Sequence, residues 1–314
     1  MAIFFDIHSL PRFTKAVVTA GTFDGVHKGH WAILQEVVDM ARSTGGESVL
    51  ITFEPHPRKL LFQDQSLGLI TPLAKKLQLI TERGIDNIVV VPFTHAFAGL
   101  PADDYISGFL VKIFEPAHIV IGYDHRFGHD RKGDINLLKA KAGSFHFEVT
   151  EIPAQLIDEA SVSSTRIRKA LLEGRPEDAA QMLGRYYTLE GTVVTGRQLG
   201  RTIGYPTANV KPADAAQLVP GNGIYAVCVK VDGKMHGGML SIGFNPTVTD
   251  DKSVKIEVYI FDFSEDIYGS LLELVFVKKL RNEKKFDSLS DLKLQLDADE
   301  HDSRAVLASL LPMV

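Results

Sequence analysis

The chain has 314 residues, enough for two domains that each bury a core of their own. Its 45% hydrophobic and 23% charged content is ordinary for a globular protein, and a net charge of −5 supplies no basic field for a nucleic-acid partner. The one cysteine, Cys228, cannot form an internal disulfide, so a reducing, cytoplasmic setting is expected; no apolar run nears the roughly 20 residues of a membrane span, and MAIFFDIHSLPRF lacks the basic start of a signal peptide.

KAVVTA (15–20) predicts a short strand, and GTFDGVHKGH (21–30) a glycine-rich turn after it. In WAILQEVVDMARSTG (31–45), Ile33, Leu34, Val37, Val38 and Ala41 recur at helical spacing until Gly45 and Gly46 end the run. ESVLITF (47–53) reads as a strand, and Glu54-Pro55-His56-Pro57 as an extended turn. An amphipathic helix over 71–84, a buried strand over 86–93, a helix over 101–116 and a strand over 117–122 follow. A short helix (133–143) and a strand (145–153) complete the alternation, which predicts a doubly wound parallel sheet with helices on both faces. Ligands of such sheets bind beyond the carboxyl ends of the strands, where the winding reverses, and GTFDGVHKGH follows the first predicted strand.

Two short helices, SSTRIRKALLEG (163–174) and PEDAAQMLG (176–184), precede a change of pattern. Beyond it YTLEGTVV, GIYAVCVKV, KMHGGMLSIG, SVKIEVYIFDF and LLELVFVKKL read as strands separated by turns such as Val231-Asp232-Gly233-Lys234. They predict a small antiparallel β-barrel, closed by helix over 288–311. The expected boundary lies at about 184–187, giving domains 1–184 and 185–314.

His27 and His30 are three apart, so the first turn of a helix puts them on one side. Unpaired backbone N–H groups and the positive end of the helix dipole meet there, an arrangement suited to phosphate. No G-x-x-x-x-G-K-[ST] loop occurs anywhere in the chain. The chemistry that fits is nucleotidyl transfer, with imidazoles and N–H groups stabilising charge on a phosphate. Gly21, Phe23, Asp24 and Gly29 of the same turn are grouped with the histidines as phosphate-binding candidates. In Ser163-Ser164-Thr165-Arg166-Ile167-Arg168, a serine N-cap is followed by arginines that oppose the helix dipole, which makes sense facing a polyphosphate. Solvated arginines at a helix start are the plainer alternative.

Gly196, Gly200 and Gly204 recur every fourth residue before Pro206-Thr207-Ala208-Asn209, so backbone can approach a ligand closely. Thr207 and Asn209 are two apart and share one side of an extended segment, as hard oxygen donors suited to Mg²⁺ held with substrate phosphates. An ordinary glycine-rich hairpin loop fits the composition equally well. In VKIEVYI (254–260), Val254, Ile256, Val258 and Ile260 alternate towards a core, leaving Glu257 outward with Lys255 and Tyr259. Periodicity alone favours a solvated face for Glu257; as part of a cleft it would be a base for an alcohol.

GTFDGVHKGH, TFEPHP (52–57), GYDHRFG (122–128) and SSTRIR together resemble the adenylyltransferase module of bacterial bifunctional riboflavin kinase/FAD synthetases, a Rossmann-like nucleotidyltransferase. GRQLGRTIGYPTAN (196–209), IEVYIFDF, DIYG (266–269) and KKLR (278–281) resemble the riboflavin kinase module of the same family. The resemblance implies ATP phosphates on His27, His30, Ser164, Thr165 and Arg168, with Ser163 beside them, and Asp124 in the flavin/nucleotide pocket. It further implies Thr207 and Asn209 as the Mg²⁺/ATP site with Gly196, Gly200, Arg201 and Gly204, Glu257 as base for the riboflavin 5′-hydroxyl, and Arg281 at the flavin end. His125 stands where the family pattern G-x-D-F-x-F-G has its first Phe. The partners so implied are riboflavin, FMN, FAD and ATP with Mg²⁺, and neither nucleic acid nor membrane; the oligomeric state is left open. A nucleotidyltransferase for another phosphorylated acceptor, fused to a flavin-binding regulatory barrel, is the alternative enzyme, and a non-catalytic adaptor the alternative outside enzymes.

Overall fold

The computed structural model describes residues 1–61, 67–153, 162–196, 200, 203–244 and 254–310. These form two compact units, Met1–Ser164 and Thr165–Val314.

The first unit is a six-stranded sheet of β1 (Ala2–Phe4), β2 (Val17–Ala20), β3 (Ser48–Glu54), β4 (Asn87–Pro92), β5 (His118–Gly122) and β6 (Glu148–Ile152). All pairings are parallel and the spatial order is β1-β4-β3-β2-β5-β6. The winding therefore reverses between β2 and β5, so the turn after β2 opens at the switch point. Residues of opposite parity along the strands feed two cores. Val18, Ala20, Val49, Ile51, Val89, Val91, Ile119 and Ile121 pack with Tyr105, Phe109, Phe114 and Leu138. Val17, Leu50, Ile88, Val90 and Val120 pack with Leu34, Val37, Val38 and Ala41 of α1 (Lys28–Thr44) and Leu77 and Ile80 of α2 (Leu73–Thr81). Each such buried Val or Leu contributes about 1.5–3 kcal/mol.

The sequence pattern missed β1, which pairs Ala2–Phe4 with 87–89 on β4. A three-residue edge strand with its alternate side chains in water carries no apolar period. The helix expected over 101–116 spans Ala102 to Phe114 but widens to a π-helix over Tyr105–Val111, and Glu115 at φ +43 ends it. The Pro-rich turn after β3 leads directly into a short helix, Pro57–Leu61.

The second unit is a closed barrel of β7 (Tyr187–Val194), β8 (Ala208–Pro212), β9 (Gly223–Val231), β10 (Lys234–Phe244), β11 (Val254–Ile260) and β12 (Leu271–Arg281) in the order β10-β11-β8-β7-β12-β9. Every pairing is antiparallel. Leu189, Tyr225, Val227, Leu240, Ile256, Val258, Leu274 and Phe276 are buried at alternate positions and fill its interior. Ala226, Cys228, Met239 and Val277 pack with Leu307 of the helix Leu289–Leu307 on the outside. The helix Pro176–Leu183 lies against β7 and β12. This packing is why the division by contacts, at Ser164/Thr165, falls before the change of pattern at 184–187.

Candidate functional site

The turn after β2 is strained. Phe23, Gly25 and Val26 have φ of +48°, +90° and +38°. For a β-branched valine this is an outlier, of a kind that costs about 1–3 kcal/mol and gathers at functional sites. The surroundings hold it in place. The Asp24 carboxylate, 3% exposed, accepts from the backbone N–H groups of Ile70 (3.2 Å) and Thr71 (3.0 Å). Thr71 Oγ1 donates to Asp24 at 3.3 Å and accepts from the Gly25 N–H at 2.9 Å. Trp31 Nε1–H donates to the Val26 carbonyl at 2.8 Å. At Gly25 a Cβ would lie 3.2 Å from Ile70 in addition to needing that positive φ, so glycine is required.

His27 is the N-cap of α1. Its Nδ1 accepts from the His30 N–H at 3.3 Å, while His30 Nδ1 accepts from the His27 N–H at 3.4 Å. This reciprocal capping box is built from two imidazoles instead of the usual hydroxyl and carboxylate. Its chemical consequence is a fixed tautomer: a neutral ring that accepts at Nδ1 carries its proton on Nε2. The rings stack with centroids 3.6 Å apart and planes 14° apart. Phe23 meets His30 edge-on at 5.1 Å. The local sequence thus yields two stacked imidazoles at the positive end of a helix, beyond the carboxyl end of β2.

Ser164, of the expected second phosphate segment, is connected to this turn. Ser164 Oγ donates to the Asp24 carbonyl at 2.8 Å. Ser164 begins the helix Ser164–Leu172, in which Thr165 and Arg166 are exposed and Arg168 is buried. Gly29 is buried on α1, and a Cβ on Gly21 would lie 3.2 Å from the Phe23 ring. The Asp24 carboxylate is engaged with Ile70 and Thr71, so it supports the turn. Asp124 is exposed beside His125, whose ring lies 5.9 Å from Phe127; Phe127 stacks on Tyr105 at 4.9 Å. Burial pushes the His125 imidazole down to about 4, so at neutral pH it is an uncharged aromatic ring in the place of the family's Phe.

In the barrel the register performs what the sequence could not foretell. Glu257 of β11 pairs directly with Asn209 of β8, so the two side chains share one face a few ångström apart. Glu257 also meets Lys255 Nζ at 2.9 Å and is half-buried. The glycines before β8 serve this cluster. A Cβ on Gly196 would stand 2.0 Å from Asn209 Nδ2, and one on Gly200 2.1 Å from the Tyr205 carbonyl and 3.6 Å from Thr207 Oγ1. Their close approach is thus to the protein's own amide and backbone. Gly204 has φ +87°, open to glycine and costly to others. Arg201 lies outside the described residues.

Arg281, expected at the flavin end, is bonded to the C-terminal helix. Its Nε and Nη2 bind Asp299 Oδ1 and Oδ2 at 2.8 and 2.6 Å, and Nη1 donates to the Asn282 carbonyl at 3.0 Å. Asp299 is 2% exposed and also accepts from Gln295. The guanidinium is therefore spent on joining β12 to the C-terminal helix. The motif reading also passed over Lys76, a lysine on the apolar side of α2, and Tyr205, whose hydroxyl donates to Asp297. A charged residue in step with Leu73, Leu77 and Ile80 was the signal for the first.

Comparison with known proteins places both halves of the chain in one family. A family model for FAD synthetase matches residues 10–166 and one for riboflavin kinase matches residues 183–307. A bifunctional riboflavin kinase/FMN adenylyltransferase of Listeria monocytogenes is 40% identical over 94% of this chain and 93% of its own. One from Escherichia coli strain K12 is 38% identical over 95% of each. Among solved structures, one described as a macrolide-efflux protein from Streptococcus pneumoniae superposes with a TM-score of 0.87 at 33% identity, covering 96% of this chain and 98% of that one. No helix among the described residues is long and apolar enough to cross a membrane. With both family models matched in order and relatives aligned nearly end to end, the chain belongs to the family of bifunctional riboflavin kinase/FMN adenylyltransferases.

Proposed function

We propose the following division of roles among this chain's residues. The enzyme phosphorylates riboflavin with ATP to give FMN and ADP, then joins FMN to AMP from a second ATP to give FAD and pyrophosphate. We assign adenylyl transfer to residues 1–184 and the kinase to residues 185–314. The observation that carries the first assignment is the two-histidine capping box at the switch point.

In adenylyl transfer an oxygen of the FMN phosphate bonds to the α-phosphorus of ATP, and the bond from that phosphorus to the pyrophosphate oxygen breaks. FMN needs no side-chain base: its phosphate, with a second pKa near 6, is largely a dianion at neutral pH. The protein's part is electrostatic. His27 and His30 offer Nε2–H donors to the phosphate oxygens, with the N-terminal amides of α1. Ser163, Ser164, Thr165 and Arg168 complete the polyphosphate site, and Asp124 and the ring of His125 belong to the flavin side.

In the kinase the nucleophile is a primary alcohol, which needs deprotonation. Glu257 accepts the proton of the riboflavin 5′-hydroxyl as its oxygen bonds to the γ-phosphorus and ADP leaves. Thr207 and Asn209, the latter paired with Glu257, are hard oxygen donors that fit Mg²⁺ bound jointly with phosphates. Mg²⁺ there would neutralise charge on the ATP phosphates. A reducing cytoplasm is the setting that the single cysteine, Cys228, fits.

The test is to incubate the protein with riboflavin, ATP and Mg²⁺ and to separate the flavins chromatographically. FAD from the parent, FMN accumulating in His30→Ala and unreacted riboflavin in Glu257→Ala are expected. FAD formed at the parental rate by His30→Ala would overturn the role of the capping box.

A further inference from the structure

Under the phosphate turn lies a charge that the chemistry above leaves unused. Lys76 is on the inward side of α2 and 5% exposed. A buried ammonium persists only where acceptors replace its water. Its Nζ donates to the Thr22 carbonyl at 3.2 Å and to Thr52 Oγ1 at 3.0 Å. Thr52 Oγ1 donates in turn to the same Thr22 carbonyl at 3.3 Å. Burial lowers the Lys76 pKa, and the charges of Glu54 and Asp24 oppose that shift.

The acceptor is what gives this cluster meaning. The Thr22 carbonyl belongs to the peptide that enters Phe23, the first residue of the turn with positive φ. Two donors converging on one oxygen fix that peptide plane. Phe23 meets His30 edge-on, and His30 completes the cap with His27. A continuous set of contacts therefore leads from Lys76 through Thr22 and Phe23 to the imidazoles. On the far side of the turn, Asp24 is bound to Ile70 and Thr71, which lead into α2 itself. The helix holds the turn at Thr22, and the segment that leads into it holds the turn at Asp24.

We propose that Lys76 is a positioning residue for adenylyl transfer: by holding the Thr22 carbonyl, it sets the strained turn that aims the two imidazoles at the ATP phosphates. This rests on reading the turn as the phosphate site.

The full chain supplies its own control, because the barrel makes FMN independently of this turn. In Lys76→Met, kcat for FAD formation from FMN should fall about 10- to 100-fold, the scale of a misplacement near 1 Å, with KM for ATP changed less than about threefold. FMN formation from riboflavin should be unchanged. Trp31, the single tryptophan, bonds the Val26 carbonyl of the same turn, so its emission should shift in Lys76→Met without any substrate. Thr52→Val removes one donor and keeps the cation, and should show a smaller loss of the same kind. If Lys76→Met does not fold, Thr52→Val decides alone. Parental kcat and parental Trp31 emission in the folded variant would overturn the proposal. So would a loss confined to thermal stability. If His30→Ala is itself fully active, the phosphate-site reading fails first; loss in His30→Ala with none in Lys76→Met removes only the role of Lys76.

Discussion

The two sites are assembled in opposite ways. The phosphate turn of the parallel unit is local: its donors come from a stretch of ten residues whose own backbone fixes their tautomers and alignment. The proposed barrel site is distributed: Asn209 lies far in sequence from Glu257, and only the β8–β11 register makes them neighbours, with Gly196 packed close to the Asn209 amide. The chemistry differs in parallel. Charge already present on a phosphate needs aligned donors, which one helix start supplies. An alcohol needs a base beside the phosphates, and in the proposed kinase site that takes two strands.

The comparison predicts losses that are separable by half. The largest is Glu257→Ala. Loss of a general base should lower riboflavin phosphorylation about 10²–10⁴-fold, while supplied FMN is still adenylylated at the parental rate. A fall in both activities would mean that the sites are not independent.

His27→Asn sharpens the other side. Asparagine caps helices well, so the His30 N–H keeps an acceptor while the imidazole donor is lost. FAD formation should fall about 10²-fold, the scale of losing one preorganised donor, with the melting temperature held. Unchanged turnover would reduce the histidine to a cap.

A smaller effect tests the distributed site. In Gly196→Ala the new Cβ would stand 2.0 Å from Asn209 Nδ2, so the amide must move. FMN formation should fall about tenfold and adenylylation should not change, as measured by initial rates with each flavin.

The smallest effect concerns pH. His125 titrates at about 4 when folded and near 6.5 when unfolded, because burial disfavours its charged form. Between these values the unfolded chain binds the extra proton, so stability falls as the pH drops from 6.5 towards 4. Urea unfolding of His125→Phe should show a flatter dependence across that window.

The same contrast explains what was legible in the sequence. Val17 and Val18 feed opposite faces of the parallel sheet, as a buried run flanked by helices implies, and GTFDGVHKGH could be placed at the switch point from its position after the first predicted strand. The reciprocal bonds between the histidines were not readable, since histidine is no usual capping pair. The pairing of Glu257 with Asn209 was not readable because periodicity describes one strand, and register is a property of two. The bond of Arg281 to Asp299 was hidden for a related reason: Asp299 is on a helix that no spacing rule connects to β12. Lys76 stood in plain view on an apolar stripe, but its acceptors belong to β3 and the turn after β2.

The central claim is that two complete and independent sites share this chain. Its most direct test is to mix His30→Ala with Glu257→Ala in the presence of riboflavin, ATP and Mg²⁺ and to measure FAD. Each variant alone should fail to make FAD at the parental rate, and the mixture should restore it, as FMN made by one barrel is adenylylated by the other chain's parallel unit. A mixture no better than its components, with both variants folded, would contradict the account.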